Sequence, residues 1–125
     1  MKILGIGNAI VDVICKVEDE FITRNNLTKG LMKLVFDQGE FSNLLSSLKI
    51  EKTISGGSVA NSIVGLSQLG DKVGFIGKIS DDNFGVKYEE GLKKENVNFF
   101  YTKKKELLPT GTCLILITPD SERTM

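Results

Sequence analysis

The residues best placed for chemistry gather around two glycines. In Ser55-Gly56-Gly57-Ser58-Val59-Ala60-Asn61-Ser62 a strand-like run gives way to a helix-like one. Paired glycines at such a junction allow close backbone approach, and the helix start presents unpaired N–H groups. Asn61 falls in the first turn, where its amide can both donate to and accept from a bound hydroxyl. The same residues also read as a plain Gly-Gly turn, with Ser58 as helix cap and Asn61 as a second-choice cap. Asp12 is the second candidate, the one polar side chain in the apolar run Ala9-Ile10-Val11-Asp12-Val13-Ile14. An unpaired buried carboxylate is costly, so Asp12 must face water, a partner or a ligand. Accepting from two vicinal hydroxyls, as in a sugar, would satisfy it; a solvent-facing place on an edge strand would too.

Other patterns carry less. Gly5-Ile6-Gly7 opens like a dinucleotide fingerprint, but Ile10 stands at the third glycine position and a strand follows instead of a helix. Gly65 to Gly70 has P-loop glycine spacing, yet Asp71 replaces the lysine and the glycines end a helix. Asp81-Asp82 with Gly85 could ligate magnesium, although capping of the following helix is the better reading. Lys103-Lys104-Lys105 beside Glu106 reads as a solvated loop, and Cys15 and Cys113 as buried small hydrophobes. The chain has no histidine, which excludes a His-ligated zinc site, a Ser-His-Asp triad and imidazole acid–base chemistry.

The elements that must position these residues alternate. Ile3–Ile6 and Ala9–Val17 read as strands separated by a turn or bulge, Glu18–Asn25 as a short helix with an acidic first turn, and Leu31–Phe36 as a further strand. Gly39–Leu48 has helical spacing of Phe41, Leu44, Leu45 and Leu48. Ile50–Ile54 is β-like. Val59–Leu69 reads as a buried helix closed by Gly70, Val73–Ile79 as a strand, and Asp82–Asn96 as a helix with Phe84, Tyr88 and Leu92 on one face. Val97–Tyr101 and Thr112–Thr118 are strand-like, with a turn at Pro119-Asp120-Ser121. This alternation predicts an α/β fold with a partly parallel sheet and a second, smaller sheet.

Length and charge narrow the function classes. At 125 residues there is room for one modest domain, and no internal repeat or low-complexity tract is present. Sixteen Lys+Arg balance sixteen Asp+Glu, which argues against nucleic acid or an anionic membrane as the main partner. No apolar run has transmembrane length, and the N-terminus lacks a signal-peptide pattern, so a cytoplasmic location with reduced thiols is expected. The end at Met125, just past a strong strand and turn, makes the sequence look cut short.

Taken together, these residues resemble the ribokinase-like, or PfkB, sugar and nucleoside kinases. Gly5-Ile6-Gly7-Asn8-Ala9-Ile10-Val11-Asp12 is similar to the family's first strand, which ends in the substrate-binding aspartate. Gly56-Gly57-Ser58 through Asn61 to Gly70 resembles its first signature, and Gly77-Lys78-Ile79-Ser80-Asp81-Asp82 to Gly85 the block completing it. Thr110-Gly111-Thr112-Cys113, then Thr118-Pro119-Asp120 and Glu122-Arg123-Thr124, resemble lid strands of the adenosine-kinase-like branch. Val59 and Ser80 depart from the usual small residue and glycine. Gly57-Ser58 through Asn61-Ser62 is closer to adenosine kinases than to ribokinases, which favours a nucleoside substrate.

The resemblance implies a doubly wound α/β sheet with a small β-sheet lid, here as an N-terminal fragment spanning 1–125. Residues 3–12 and 57–97 would belong to the large core, and 13–55 and 98–125 to lid segments. It implies that Asp12, Gly57 and Asn61 contact substrate hydroxyls, with Asn8 and Ser58 close by, and that no metal ligand lies in this chain. It further implies an ATP- and Mg2+-dependent transfer, adenosine plus ATP giving AMP and ADP in purine salvage. The catalytic base and ATP pocket are expected beyond residue 125, leaving this chain inactive alone. Small-molecule sugar or nucleoside and ATP are the implied partners, and exposed lid strands could pair into a homodimer. A non-catalytic sugar- or nucleoside-binding module, or a decayed remnant, is the alternative.

Overall fold

The alternation of apolar patterns is realised as alternating elements in the computed structural model, which describes residues 2–125. The order is β1 (Lys2–Ile6), β2 (Ile10–Lys16), α1 (Asp19–Arg24), α2 (Gln38–Ser46), β3 (Ile50–Gly56) and α3 (Ser58–Gln68). Then follow β4 (Lys72–Ile76), α4 (Asn83–Lys94), β5 (Asn98–Phe99), β6 (Gly111–Ile117) and β7 (Arg123–Thr124). Two sheets form, one ordered β1-β4-β5 and one ordered β3-β2-β6-β7. Among the described residues no helix is long and apolar enough to cross a membrane. The chain forms two compact units, passing between them after Asp12, Thr53 and Thr112.

The first unit comprises the described residues through Asp12 together with Ile54–Thr112. Its sheet is parallel, with Gly5 opposite Phe75 and Phe75 opposite Phe99, so these three share a face. A Cβ on Gly5 would lie 2.6 Å from the Ile63 side chain, which identifies this face as the one under α3. Tyr88 of α4 meets the Phe75 and Phe99 rings on it, with centroids 6.3 and 5.9 Å away. The opposite face carries Leu4 and Ile6, which are 54% and 70% exposed. On that side Phe100 covers Gly74, where a Cβ would sit 2.5 Å from its ring.

The helices of this unit end as their sequences require. Gly70 (φ +92) and Asn96 (φ +57) take left-handed conformations after α3 and α4. Asp71 N–H then donates to Leu66 O, and Val97 N–H to Leu92 O. Asp82 caps α4, accepting from Gly85 N–H at 2.7 Å. It also accepts from the Thr110 N–H and hydroxyl, both at 2.8 Å, while Ser80 N–H donates to Thr110 Oγ1 at 3.0 Å. Burial would push the Asp82 carboxyl upward, but hydrogen bonds from Thr110, Gly85 and Phe84 outweigh it and hold it below the usual carboxylate value.

Residues 98–112, expected with the lid segments, cluster with this first unit, as do 54 and 55. The Asp82–Thr110 bonds are one reason. Others are the Phe100 N–H donating to Phe75 O at 2.9 Å and the Asp81 N–H donating to Lys104 O at 3.0 Å. Glu106 adds an ion pair to Lys78 at 3.0 Å and accepts from the Tyr101 hydroxyl at 2.8 Å.

The second unit comprises Val13–Thr53 and Cys113–Met125. Val13, Cys15, Val17, Ile22, Leu44, Leu114 and Leu116 are its buried apolar residues. Lys29 joins Asp19 at 2.5 Å to Asp120 at 2.7 Å, and Gly30 N–H donates to Thr124 Oγ1 at 3.0 Å. The strand expected over Leu31–Phe36 does not form. Only its start pairs: Met125 N–H donates to Leu31 O, and Lys33 N–H to Met125 O. Beyond Lys33 the segment is irregular and Phe36 is 87% exposed, because its apolar residues find no neighbouring strand among the described residues.

Candidate functional site

The site is built where β3 hands over to α3. Gly57, not Ser58, is the N-cap residue of α3, with φ +101 and ψ 133 and no side-chain cap bond. That conformation suits glycine alone, and a Cβ there would stand 2.4 Å from the Asn8 carbonyl oxygen. The turn therefore brings the Asn8 backbone and Gly57 into direct contact. Ser58 becomes the first helical residue instead of the cap. Asn61 donates only its backbone N–H, to Gly57 O at 2.9 Å. Both Ser58 and Asn61 are exposed, and neither side chain makes a hydrogen bond among the described residues, so neither acts as a cap.

Asp12 lies against the same turn. A Cβ on Gly56 would be 2.6 Å from Asp12 Oδ2 and 3.2 Å from Oδ1, so the carboxylate occupies the space that only a glycine leaves open. The side chain is half-buried with its carboxylate open to solvent, and it accepts no hydrogen bond among the described residues. Burial accordingly pushes its carboxyl above the ordinary aspartate value. Such a group is ready to accept from a donor that is not protein. The structure thus brings Asn8, Asp12, Gly56 and Gly57 into contact, and sets Ser58 and Asn61 in the exposed first turn that leaves Gly57.

Behind the turn stands Tyr88, fully buried, whose hydroxyl donates to Gly56 O at 3.1 Å. Burial, helped by the Asp12 charge, pushes the phenol upward, so it remains a donor at any ordinary pH. Ser55 Oγ donates to Tyr88 O at 2.9 Å. Sequence reasoning treats Tyr88 as one more apolar face residue. The available signal is that a buried tyrosine hydroxyl requires a partner.

Among the described residues no group of three or more acidic, cysteine or histidine side chains could hold an ion. Asp82, half of the candidate pair, is already occupied by Gly85 and Thr110.

Comparison with known proteins places the chain in a family. Residues 2–125 match the pfkB family carbohydrate kinase domain. A 5-dehydro-2-deoxygluconokinase of Mesomycoplasma hyopneumoniae (strain 232) is 37% identical over 75 residues, covering 60% of this chain and 22% of that protein. Adenosine kinase 2 of Arabidopsis thaliana is 28% identical over 120 residues, covering 92% of this chain and 34% of that protein. The crystal structure of adenosine kinase from Sinorhizobium meliloti superposes with a TM-score of 0.81 at 33% identity, covering 98% of this chain and 37% of that one. The chain thus spans between about a fifth and two-fifths of the length of these relatives. Its fold is ribokinase-like α/β, present as a fragment of the fold those proteins share. With the match running through the whole described chain, this polypeptide belongs to the pfkB family of carbohydrate kinases.

Proposed function

We propose that this chain is the acceptor-binding part of an ATP-dependent kinase that phosphorylates a hydroxyl of a nucleoside or sugar, adenosine first. The observation that carries the proposal is the Asp12 carboxylate, half-buried without a hydrogen-bond donor among the described residues and set against the space left by Gly56. Two hydroxyls of the acceptor would donate to it, with Gly57 and Asn61 adding polar contacts and Asn8 and Ser58 close by. Coverage of 92% of the chain by a plant adenosine kinase and of 98% by a bacterial one supports adenosine, although a probable sugar kinase of Rhizobium etli covers the same 98%. The higher identity to a sugar kinase over a shorter stretch keeps a sugar as the second acceptor class.

In the reaction the acceptor oxygen bonds to the γ-phosphorus of ATP while the bond from that phosphorus to the β–γ bridging oxygen breaks. ADP leaves, and the hydroxyl proton passes to a base. Nothing at the Asp12 site supplies that base, since Asp12 ionised is already engaged with two other hydroxyls. This chain's contribution is positioning, which fixes the reacting oxygen and removes rotational freedom before transfer. ATP binding, magnesium and the base are assigned to sequence outside these residues, and residues 13–53 with 113–125 to the family's β-sheet lid.

The test is a phosphoryl-transfer assay with ATP, magnesium and a panel of adenosine, ribose and fructose. The full-length kinase containing this chain should convert ATP to ADP with one panel member, and the 125-residue chain alone should convert none. Turnover by the isolated chain would overturn the assignment of the base, and failure of every acceptor in the full-length protein would overturn the function.

A further inference from the structure

The glycines that open the Asp12 site also deprive it of stiffness. Gly56 and Gly57 carry no side chains to pack, and Gly57 is held at φ +101, a conformation glycine reaches but does not prefer over its others. Something outside the turn must hold it. Among the described residues the only side-chain hydroxyl bonded to the peptide between them is that of Tyr88, which donates to Gly56 O at 3.1 Å.

We infer that Tyr88 is a positioning residue of the acceptor site, its hydroxyl holding the Gly56–Gly57 peptide in the orientation that seats Asp12 and opens α3. This rests on the proposed acceptor-binding reading of Asp12. The peptide is trans, so its N–H, on Gly57, points away from the carbonyl that Tyr88 holds. A hydrogen bond to the carbonyl fixes that plane and polarises the N–H on its far side. Tyr88 is itself well anchored. Its ring packs against both Phe75 and Phe99, with centroids at 6.3 and 5.9 Å, and its carbonyl accepts from Ser55 Oγ at 2.9 Å. Ser55 immediately precedes the glycines, so residue 88 grips the turn at two successive positions. Gly91 permits this approach, since a Cβ there would be 2.0 Å from Ser55 Oγ. A phenylalanine would fill the same aromatic cluster, and only the hydroxyl reaches the turn.

The experiment is steady-state kinetics of the full-length kinase, with adenosine or the panel acceptor it turns over, for Tyr88→Phe, Ser55→Ala and Asp12→Asn. Loss of one neutral hydrogen bond predicts that Tyr88→Phe raises the acceptor KM about fivefold with kcat and the ATP KM unchanged. Ser55→Ala should move the same parameter in the same direction. A purely structural tyrosine would lower the Tm and leave the acceptor KM where it was, and that result overturns the inference. Should Tyr88→Phe fail to fold, Ser55→Ala decides by the same criterion. If Asp12→Asn leaves the acceptor KM and kcat unchanged, the acceptor-site reading itself fails and this inference with it. If Asp12→Asn impairs the acceptor and neither other variant does, only the role of Tyr88 is refuted.

Discussion

Gly56→Ala separates the site from the fold. Gly56 has no positive φ, so alanine fits its backbone without strain. The added methyl would sit 2.6 Å from Asp12 Oδ2, where ordinary contact begins at 3.4 Å, so the carboxylate must withdraw by about 0.8 Å. The obstacle is the end of a side chain, which can turn aside; an off-rotamer displacement costs about 0.5–1.5 kcal/mol. The fold should therefore survive with a Tm a few degrees lower at most. Function should suffer far more. Hydrogen bonds to a charged group contribute about 1.5–3 kcal/mol, so losing the alignment of one predicts a roughly ten- to hundredfold fall in acceptor kcat/KM. The assay is phosphoryl transfer with acceptor varied at saturating ATP, alongside thermal unfolding. In an Asp12→Asn background the same alanine should have little further effect, because both substitutions disable one interaction. An acceptor kcat/KM within twofold of wild type for Gly56→Ala would refute the reasoning, as would full additivity with Asp12→Asn.

Three further outcomes follow from the geometry. Gly57→Ala should destabilise the protein by about 1–3 kcal/mol or more in chemical denaturation, because it combines a glycine-only φ with a 2.4 Å approach to backbone that has no freedom to withdraw. Asp12→Asn should raise or preserve the Tm at neutral pH while impairing turnover. The native carboxyl holds its proton more tightly than the unfolded one, so its ionisation removes stability as pH rises through the native value, and asparagine avoids this. Asp120 behaves oppositely. Lys29, Thr118 and the Glu122 N–H hold its carboxyl down at about 2, so its contribution is complete above the unfolded value near 3.8 and disappears as pH falls toward 2. Acid titrations followed by circular dichroism should show that slope flattened in Asp120→Asn.

The parts of the fold legible in sequence are those fixed by local chemistry. Gly70 and Asn96 mark the ends of α3 and α4 because left-handed residues close helices, and Asp82 marks the start of α4 because its carboxylate reaches Gly85 N–H. Asp12 stands out as a carboxylate in an apolar strand, and the Gly-Gly junction as a site of close approach. What sequence missed depends on distant partners. Asp82 also accepts from Thr110, 28 positions away, and this draws residues 98–112 into the first unit. Leu31–Phe36 has a strand's composition, but a strand needs a neighbour, and only Leu31 and Lys33 find one in Met125. Ser58 looks like a cap by type, yet the φ of Gly57 moves the cap one residue earlier. The bond of the Tyr88 hydroxyl to Gly56 likewise spans 32 residues and leaves no local trace.

One exposed surface belongs with this account. Parallel sheets are normally covered on both faces, whereas here Leu4 and Ile6 of β1 lie open on the face away from α3. Relatives about three to five times longer than the matched region have the chain length to cover it.

The most direct test of the central claim is the acceptor kcat/KM of the full-length kinase with Asp12→Asn, measured across adenosine, ribose and fructose at saturating ATP. The account predicts a fall of about tenfold or more for the acceptor that is turned over, with the ATP KM unchanged. A kcat/KM within twofold of wild type for that acceptor would contradict it.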